Sequence, residues 1–182
     1  KPVIELMAAL PSVVIGFIGM VIVAPWLQET FNLPTGLNLF NAGLMLAFMC
    51  IPTIASISED ALRNVPGALR EASLALGATR WETLCRVELR WAMGGIGTSV
   101  MLGLSRAIGE TMAVVMVAGN QTWMPKGLFQ GLRTMTSNIV IEMGYAADLH
   151  REALIATGVV LFVFILLINL CFSLVKGGEK NG

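Results

Sequence analysis

The 182 residues are 55% hydrophobic and only 13% charged, with 12 basic and 12 acidic side chains balancing to zero, and the mean hydropathy is +0.75. Soluble domains carry about 25% charged residues, so this composition excludes a water-solvated globule and points to an integral membrane protein whose apolar surface meets lipid. A nucleic-acid partner is excluded too, because no basic face with interleaved aromatics is present.

The first apolar run covers residues 3–24, enough for a membrane helix of about 20 residues. Pro11 and Ser12 fall in its middle, which predicts a kink that faces protein. The kink would open backbone groups and the Ser12 hydroxyl to an internal cavity; plain packing accounts for it equally well. Residues 25–38 contain Pro25, Pro34 and Gly36 and no Lys or Arg, the pattern of an exposed loop with Trp26 anchored at the interface. A second span follows at residues 39–57, interrupted by Pro52.

Basic residues then gather. Arg63, Arg70, Arg80, Arg86 and Arg90 are five of the twelve Lys and Arg residues, and they frame the segment 64–90. The positive-inside rule places it in the cytoplasm and the Lys-free loop outside. Pro66 suits a first helical turn, Leu69, Ala72 and Leu76 recur at helical spacing, and Gly77 supplies a left-handed stop. Thr79 and Glu82 form a T-x-x-E capping box for a second helix, whose apolar face is Leu84, Val87 and Trp91. The segment reads as helix, turn, helix.

The third span is expected at residues 91–119. Gly95, Ser99, Gly103 and Ala107 recur every fourth residue, a small-residue stripe that admits a neighbouring helix. Beside it Arg106 lies about 22 Å from Trp91 at 1.5 Å per residue, near mid-membrane. Glu110 follows four positions later, a spacing at which the two charges can neutralise each other on one helix. Ionisable residues at this depth are expensive and mark pathways, so Arg106 is read as meeting an anionic substrate and Glu110 as balancing it when the site is empty. The plainer account is an ion pair that fixes packing. Residues 120–151 form a polar outer loop with a partly amphipathic helix at 128–144, and Asn120 is either a pathway-mouth residue or a helix cap. The last span is 152–175, giving four spans with both ends inside.

Nothing in the sequence carries catalysis: there is no Walker-type loop, no paired carboxylates on one face, and no Ser-His or Cys-His set. Cys50, Cys85 and Cys171 lack metal-ligand spacing and read as small apolar residues, and the lone His150 has no second metal ligand.

The segment Glu71-Ala72-Ser73, three residues, then Gly77, nine residues, and Val87-x-Leu89 resembles the EAA loop of ABC-transporter permeases, with Ser73 in place of the second Ala and Arg90 in place of the closing Pro. With REASLALGATRWET at 70–83, SRAIGETMAVVMVAGN at 105–120 and IELMAALPSVVIGFIG at 4–19, the chain is similar to phosphate-transporter permeases of the PstC kind more than to those of the PstA kind. The resemblance implies an all-α, polytopic membrane helical bundle of the type I ABC permease (MetI-like) kind. It implies that Glu71, Ala72, Gly77 and Arg80 belong to the contact with a cytoplasmic ATPase, and that Arg106, Glu110, Ser12 and Asn120 line the substrate pathway. The implied partners are a PstB-like ATPase subunit, a PstA-like second permease subunit and an extracytoplasmic phosphate-binding protein. The chain itself would hold no cofactor; ATP and magnesium would be used by the ATPase. Such permeases usually have six spans with the EAA loop between the fourth and fifth. The four spans here match the third to sixth, and the chain is expected to be the carboxyl-terminal part of a longer permease of a bacterial or archaeal cytoplasmic membrane. The alternatives are a permease for another oxyanion, molybdate or sulfate, or else a membrane scaffold or enzyme, which would co-purify with no ATPase.

Overall fold

The computed structural model describes residue 7 and residues 9–179. Among these the chain is helical, with a single isolated β-bridge between Gly119 and Leu132.

Helix α1 starts at Ser12 and runs to Phe31 as an α-helical Ser12–Ile18, a π turn Gly19–Val23 and a second α-helical piece Ala24–Phe31. Pro11 does not kink the middle of a span. It stands at the helix N-cap, where a missing N–H costs nothing. Pro25, expected in a loop, lies inside the helix directly after the π turn, which accommodates the carbonyl its ring leaves unpaired. The helix ends at Asn32 in the left-handed conformation, so the loop is short and Trp26 is an exposed helical residue. The part of the first run at residues 3–6 and 8 lies outside the described residues.

Helix α2, Leu39–Arg63, is capped by Asn38, whose side chain accepts from the Asn41 N–H at 2.9 Å. It passes through Pro52 without interruption and ends six residues beyond the expected 57. Asn41 is fully buried and donates to the carbonyls of Gly19 and Gly36, both at 3.1 Å, which ties the π turn and the loop to the start of α2.

Helix α3, Gly67–Ala75, is the first arm of the hairpin. The second arm, Arg80–Thr83, runs on past residue 90, as Arg90 in place of the motif's Pro leads one to expect. It continues through a π turn, Leu84–Glu88, into Leu89–Gly109, and 80–109 is one helical rod, α4. Arg90, which stands where the family motif has proline, keeps the N–H that this continuity needs. The expected third span is then broken: Glu110 is extended (φ −67°, ψ 131°) and a short helix α5, Met112–Val117, resumes beyond it. Between α5 and α7 the outer residues form the helix Met135–Glu142, α6, shorter than the expected 128–144. Helix α7 occupies Asp148–Glu179 and starts earlier than expected.

Among the described residues three helical stretches are long and apolar enough to cross a membrane, Ser12–Phe31, Leu39–Arg63 and Asp148–Phe172. The 21-residue Leu89–Gly109 piece of α4, expected as one of four spans, is not among them, because its glycines, Arg90 and Arg106 dilute its apolar character.

The small-residue stripe does what its spacing predicts. A Cβ on Gly95 would lie 2.5 Å from the Ala61 Cβ, one on Gly103 would lie 2.6 Å from Ile54, and the buried Ser99 hydroxyl meets Ser58 at 2.7 Å. Helices α2 and α4 therefore approach closely along this line. The core proper joins Ile15 of α1, Ala42, Met45 and Met49 of α2, and Ala113, Val114 and Val117 of α5. Gly16 lets α1 approach the Ala113 backbone. The short α5 thus sits as a wedge between the first two helices.

Candidate functional site

Two sets of residues carry chemistry: one at the break in α4 and one in the hairpin.

The break separates Arg106 from Glu110. Because the helix ends at Gly109, Glu110 leaves the helical path and the four-residue spacing no longer sets the side chains face to face. No ion pair joins them. Glu110 turns back on the backbone, its Oε1 accepting from the N–H groups of Thr111 at 3.2 Å and Ala113 at 3.3 Å. Its carboxylate thereby satisfies donors that the restart of the helix leaves open. The Thr136 hydroxyl donates to the Glu110 carbonyl at 3.3 Å and links the break to α6. The expectation that Glu110 balances Arg106 through a helical pair is corrected: the carboxylate is spent on capping.

Arg106 is exposed and its guanidinium donates to the Thr53 hydroxyl of α2 at 3.2 Å. No carboxylate among the described residues lies within ion-pair distance of it. Placement in the last turn of the Leu89–Gly109 helix sets its positive charge against the negative end of the helix dipole. One residue earlier, Ser105 donates to Asn169 of α7 at 2.8 Å. Reading the sequence alone missed Thr53, although a hydroxyl following a proline inside an apolar run was the available signal.

The other expected pathway residues are not joined to Arg106. Ser12 is half-buried in the first turn of α1. Asn120 caps the end of α5: it sits in the left-handed conformation (φ 50°) and its amide donates to the Val115 carbonyl at 2.7 Å. The blander account of Asn120 is the one its geometry fits. Its own carbonyl accepts from Arg133, which also pairs with Glu142 at 2.6 Å, an outer ion pair the sequence did not disclose.

In the hairpin, Glu71, Ala72, Gly77 and Arg80 are all exposed. Gly77 has φ +87° with open space where a side chain would go, so the turn needs glycine for its backbone alone. The capping box forms as spaced: Thr79 N–H and hydroxyl both donate to Glu82, at 2.9 and 2.8 Å, and the Glu82 N–H donates to the Thr79 hydroxyl at 3.3 Å. Leu76, at helical spacing from Leu69 and Ala72, is 90% exposed, and Trp81 past the turn is 72% exposed. Between the arms lies a cavity of about 450 Å³ lined by Arg70, Leu74, Arg80, Thr83, Leu84 and Glu88.

A family of binding-protein-dependent transport system inner membrane components matches residues 1–177. The chain belongs to that family. Among curated proteins this permease-family chain is 42% identical over 175 residues to the probable ABC transporter permease protein YqgH of Bacillus subtilis, an alignment covering 93% of the chain and 57% of the relative. It is 37% identical to the phosphate transport system permease protein PstC of Pasteurella multocida, covering 88% of the chain and 56% of that protein. The corresponding protein of Haemophilus influenzae is 38% identical. The chain thus spans a little over half the length of the curated relatives it matches. Among solved structures, an inward-facing form of the MetNI methionine ABC transporter shares the fold at a TM-score of 0.73 and 20% identity, over 97% of this chain and 72% of that one. The all-α membrane permease architecture of the MetI-like kind is established by these matches.

Proposed function

We propose that this chain forms part of the permease subunit of an ATP-driven importer that carries inorganic phosphate across the cytoplasmic membrane. The observation that carries the reading is Arg106: a guanidinium in the last turn of the Leu89–Gly109 helix that donates to the Thr53 hydroxyl and has no carboxylate partner among the described residues, with its expected counter-ion turned away to cap α5. A cation left in that state at depth needs an anion or water. Arginine offers planar donors suited to the oxygens of a tetrahedral oxyanion that must shed its hydration. The names of the PstC relatives favour phosphate over sulfate and molybdate.

The hairpin is the contact for a separate PstB-like ATPase, on which ATP and magnesium are used. Its exposed Leu76 and Trp81 offer apolar anchors around the turn at Gly77, with Glu71, Ala72 and Arg80 beside them. A PstA-like permease subunit completes the pathway, and an extracytoplasmic binding protein delivers the anion. Closure of the ATPase moves the hairpin, and α4 carries that movement to the break beside Arg106.

The test is phosphate uptake by the full-length complex. Arg106→Ala should abolish ATP-dependent uptake with the ATPase still co-purifying, and Arg106→Lys should keep a fraction, because an ammonium retains the charge without the fork. Undiminished uptake by Arg106→Ala would sink the pathway assignment. Competition by sulfate or molybdate at equal potency would replace phosphate with the broader oxyanion class.

A further inference from the structure

The rod α4 joins the hairpin to its long Leu89–Gly109 stretch through the π turn Leu84–Glu88. A π turn carries i→i+5 hydrogen bonds in place of the α-helical ladder and is one of the places where a helix can kink. Anything that pushes on the hairpin therefore meets a point of bending before it reaches that stretch. One contact bypasses it. Arg70, in the middle of α3, donates from Nε to Glu88 Oε1 at 2.6 Å and from a terminal nitrogen to Oε2 at 2.9 Å, a bidentate fork across 18 residues. Glu88 is the last residue of the π turn and is buried, its side chain 10% exposed, whereas Arg70 is half-exposed. Lower in the hairpin the Ser73 hydroxyl meets the buried Thr83 hydroxyl at 2.9 Å, just before the π turn begins. Arm α3 thus grips the rod just before the π turn, at Thr83, and at the turn's last residue, Glu88.

Bidentate arginine–carboxylate geometry fixes orientation as well as distance. A carboxylate buried at the base of a membrane rod is costly unless it stays paired, so the pair resists separation when the hairpin is loaded.

We propose that Arg70 and Glu88 form a strut that makes the hairpin and the Leu89–Gly109 helix one moving body, so that partner-driven motion of the hairpin reaches the break at Glu110 without being absorbed by the π turn. Arg70 and Glu88 are positioning residues: they touch neither substrate nor ATPase in this role. The inference rests on the hairpin being the ATPase contact, and its readout is separable from that premise.

The experiment uses the full-length transporter reconstituted with its ATPase and binding protein, and records phosphate uptake per ATP hydrolysed alongside ATPase co-purification. Arg70→Gln and Glu88→Gln should both retain the ATPase and its hydrolysis while uptake per ATP falls about tenfold, within the range usual for coupling between sites. The exchange Arg70→Glu with Glu88→Arg should recover most of the ratio, which a merely destabilising lesion would not. Should Arg70→Gln fail to assemble, Arg70→Lys is read in the same way, since it keeps the charge and loses the fork. An unchanged ratio in an assembled single variant overturns the strut, as does an exchange variant that assembles and remains uncoupled. Failure of the unmodified hairpin to hold any ATPase would instead overturn the premise.

Discussion

Glu110 shows how one backbone torsion decides what a charged side chain does. Had the helix continued, its carboxylate would have faced Arg106; with ψ at 131° it folds onto the amides of Thr111 and Ala113 instead. A capping role needs an acceptor and not a charge. Glu110→Gln should keep the break and most of the uptake, whereas Glu110→Ala should lose about 1 kcal/mol of stability, the usual cost of a lost helix cap; thermal unfolding of the purified complex and an uptake assay separate the two. If Gln proves as inactive as Ala, the charge itself is required. The sequence made the positions legible, through ionisable residues in an apolar run, but not the pairing. Pairing depended on a chain break for which Gly109 was the sole local hint, and glycines are too common in this span to single it out.

Helix by helix, the features that follow from local rules were readable and those set by distant neighbours were not. The capping box at Thr79 and Glu82, the left-handed Gly77 and the small-residue stripe all form as spaced, since each depends on a few adjacent residues. The two π turns and the helical Pro25 were hidden, because tertiary packing absorbs what propensity forbids. The stripe gives a contrast of substitutions: Gly103→Leu drives atoms into Ile54 and should cost about 1–3 kcal/mol through overpacking, while Gly97→Ala meets open space and should be close to neutral. Melting temperatures of the two variants in detergent check this. The hairpin also carries a pH dependence. Donation from the Thr79 amide and hydroxyl holds the Glu82 carboxyl below its ordinary value of 4.5. A depressed carboxyl contributes stability that is fully present above its unfolded value and is lost as pH falls through the folded one. Amide exchange in the second arm should therefore be slowed in the wild type relative to Thr79→Ala at neutral pH, with the difference closing as pH drops well below 4.5.

Taken whole, the molecule is a close-packed unit of α1, α2, α4 and α5 with α7 standing largely apart. The apolar window of α7 is only 6% buried, and the helix is held by the buried Leu154, by Gly158 against Ile139 and by the Ser105–Asn169 bond. A face of Val159, Phe162, Val163 and Leu166 is left for lipid or for another subunit. Composition alone announced this class of protein, because lipid sets the demand that each span be apolar. What composition does not encode is the relative rotation of the pieces, and here the π turn at Leu84–Glu88 has a consequence of its own. It accommodates roughly one residue more than a regular α-helix would place there. Deleting Cys85 should let the rod close into continuous α-helix with hairpin and span still in phase. A one-residue deletion elsewhere in 80–109 would swing the hairpin by about 100° around the rod axis, at 3.6 residues per turn, and turn Trp81 and Gly77 away from any partner beneath. The rod carries a built-in tolerance for length at one address, and ATPase co-purification with paired single-residue deletions would map it.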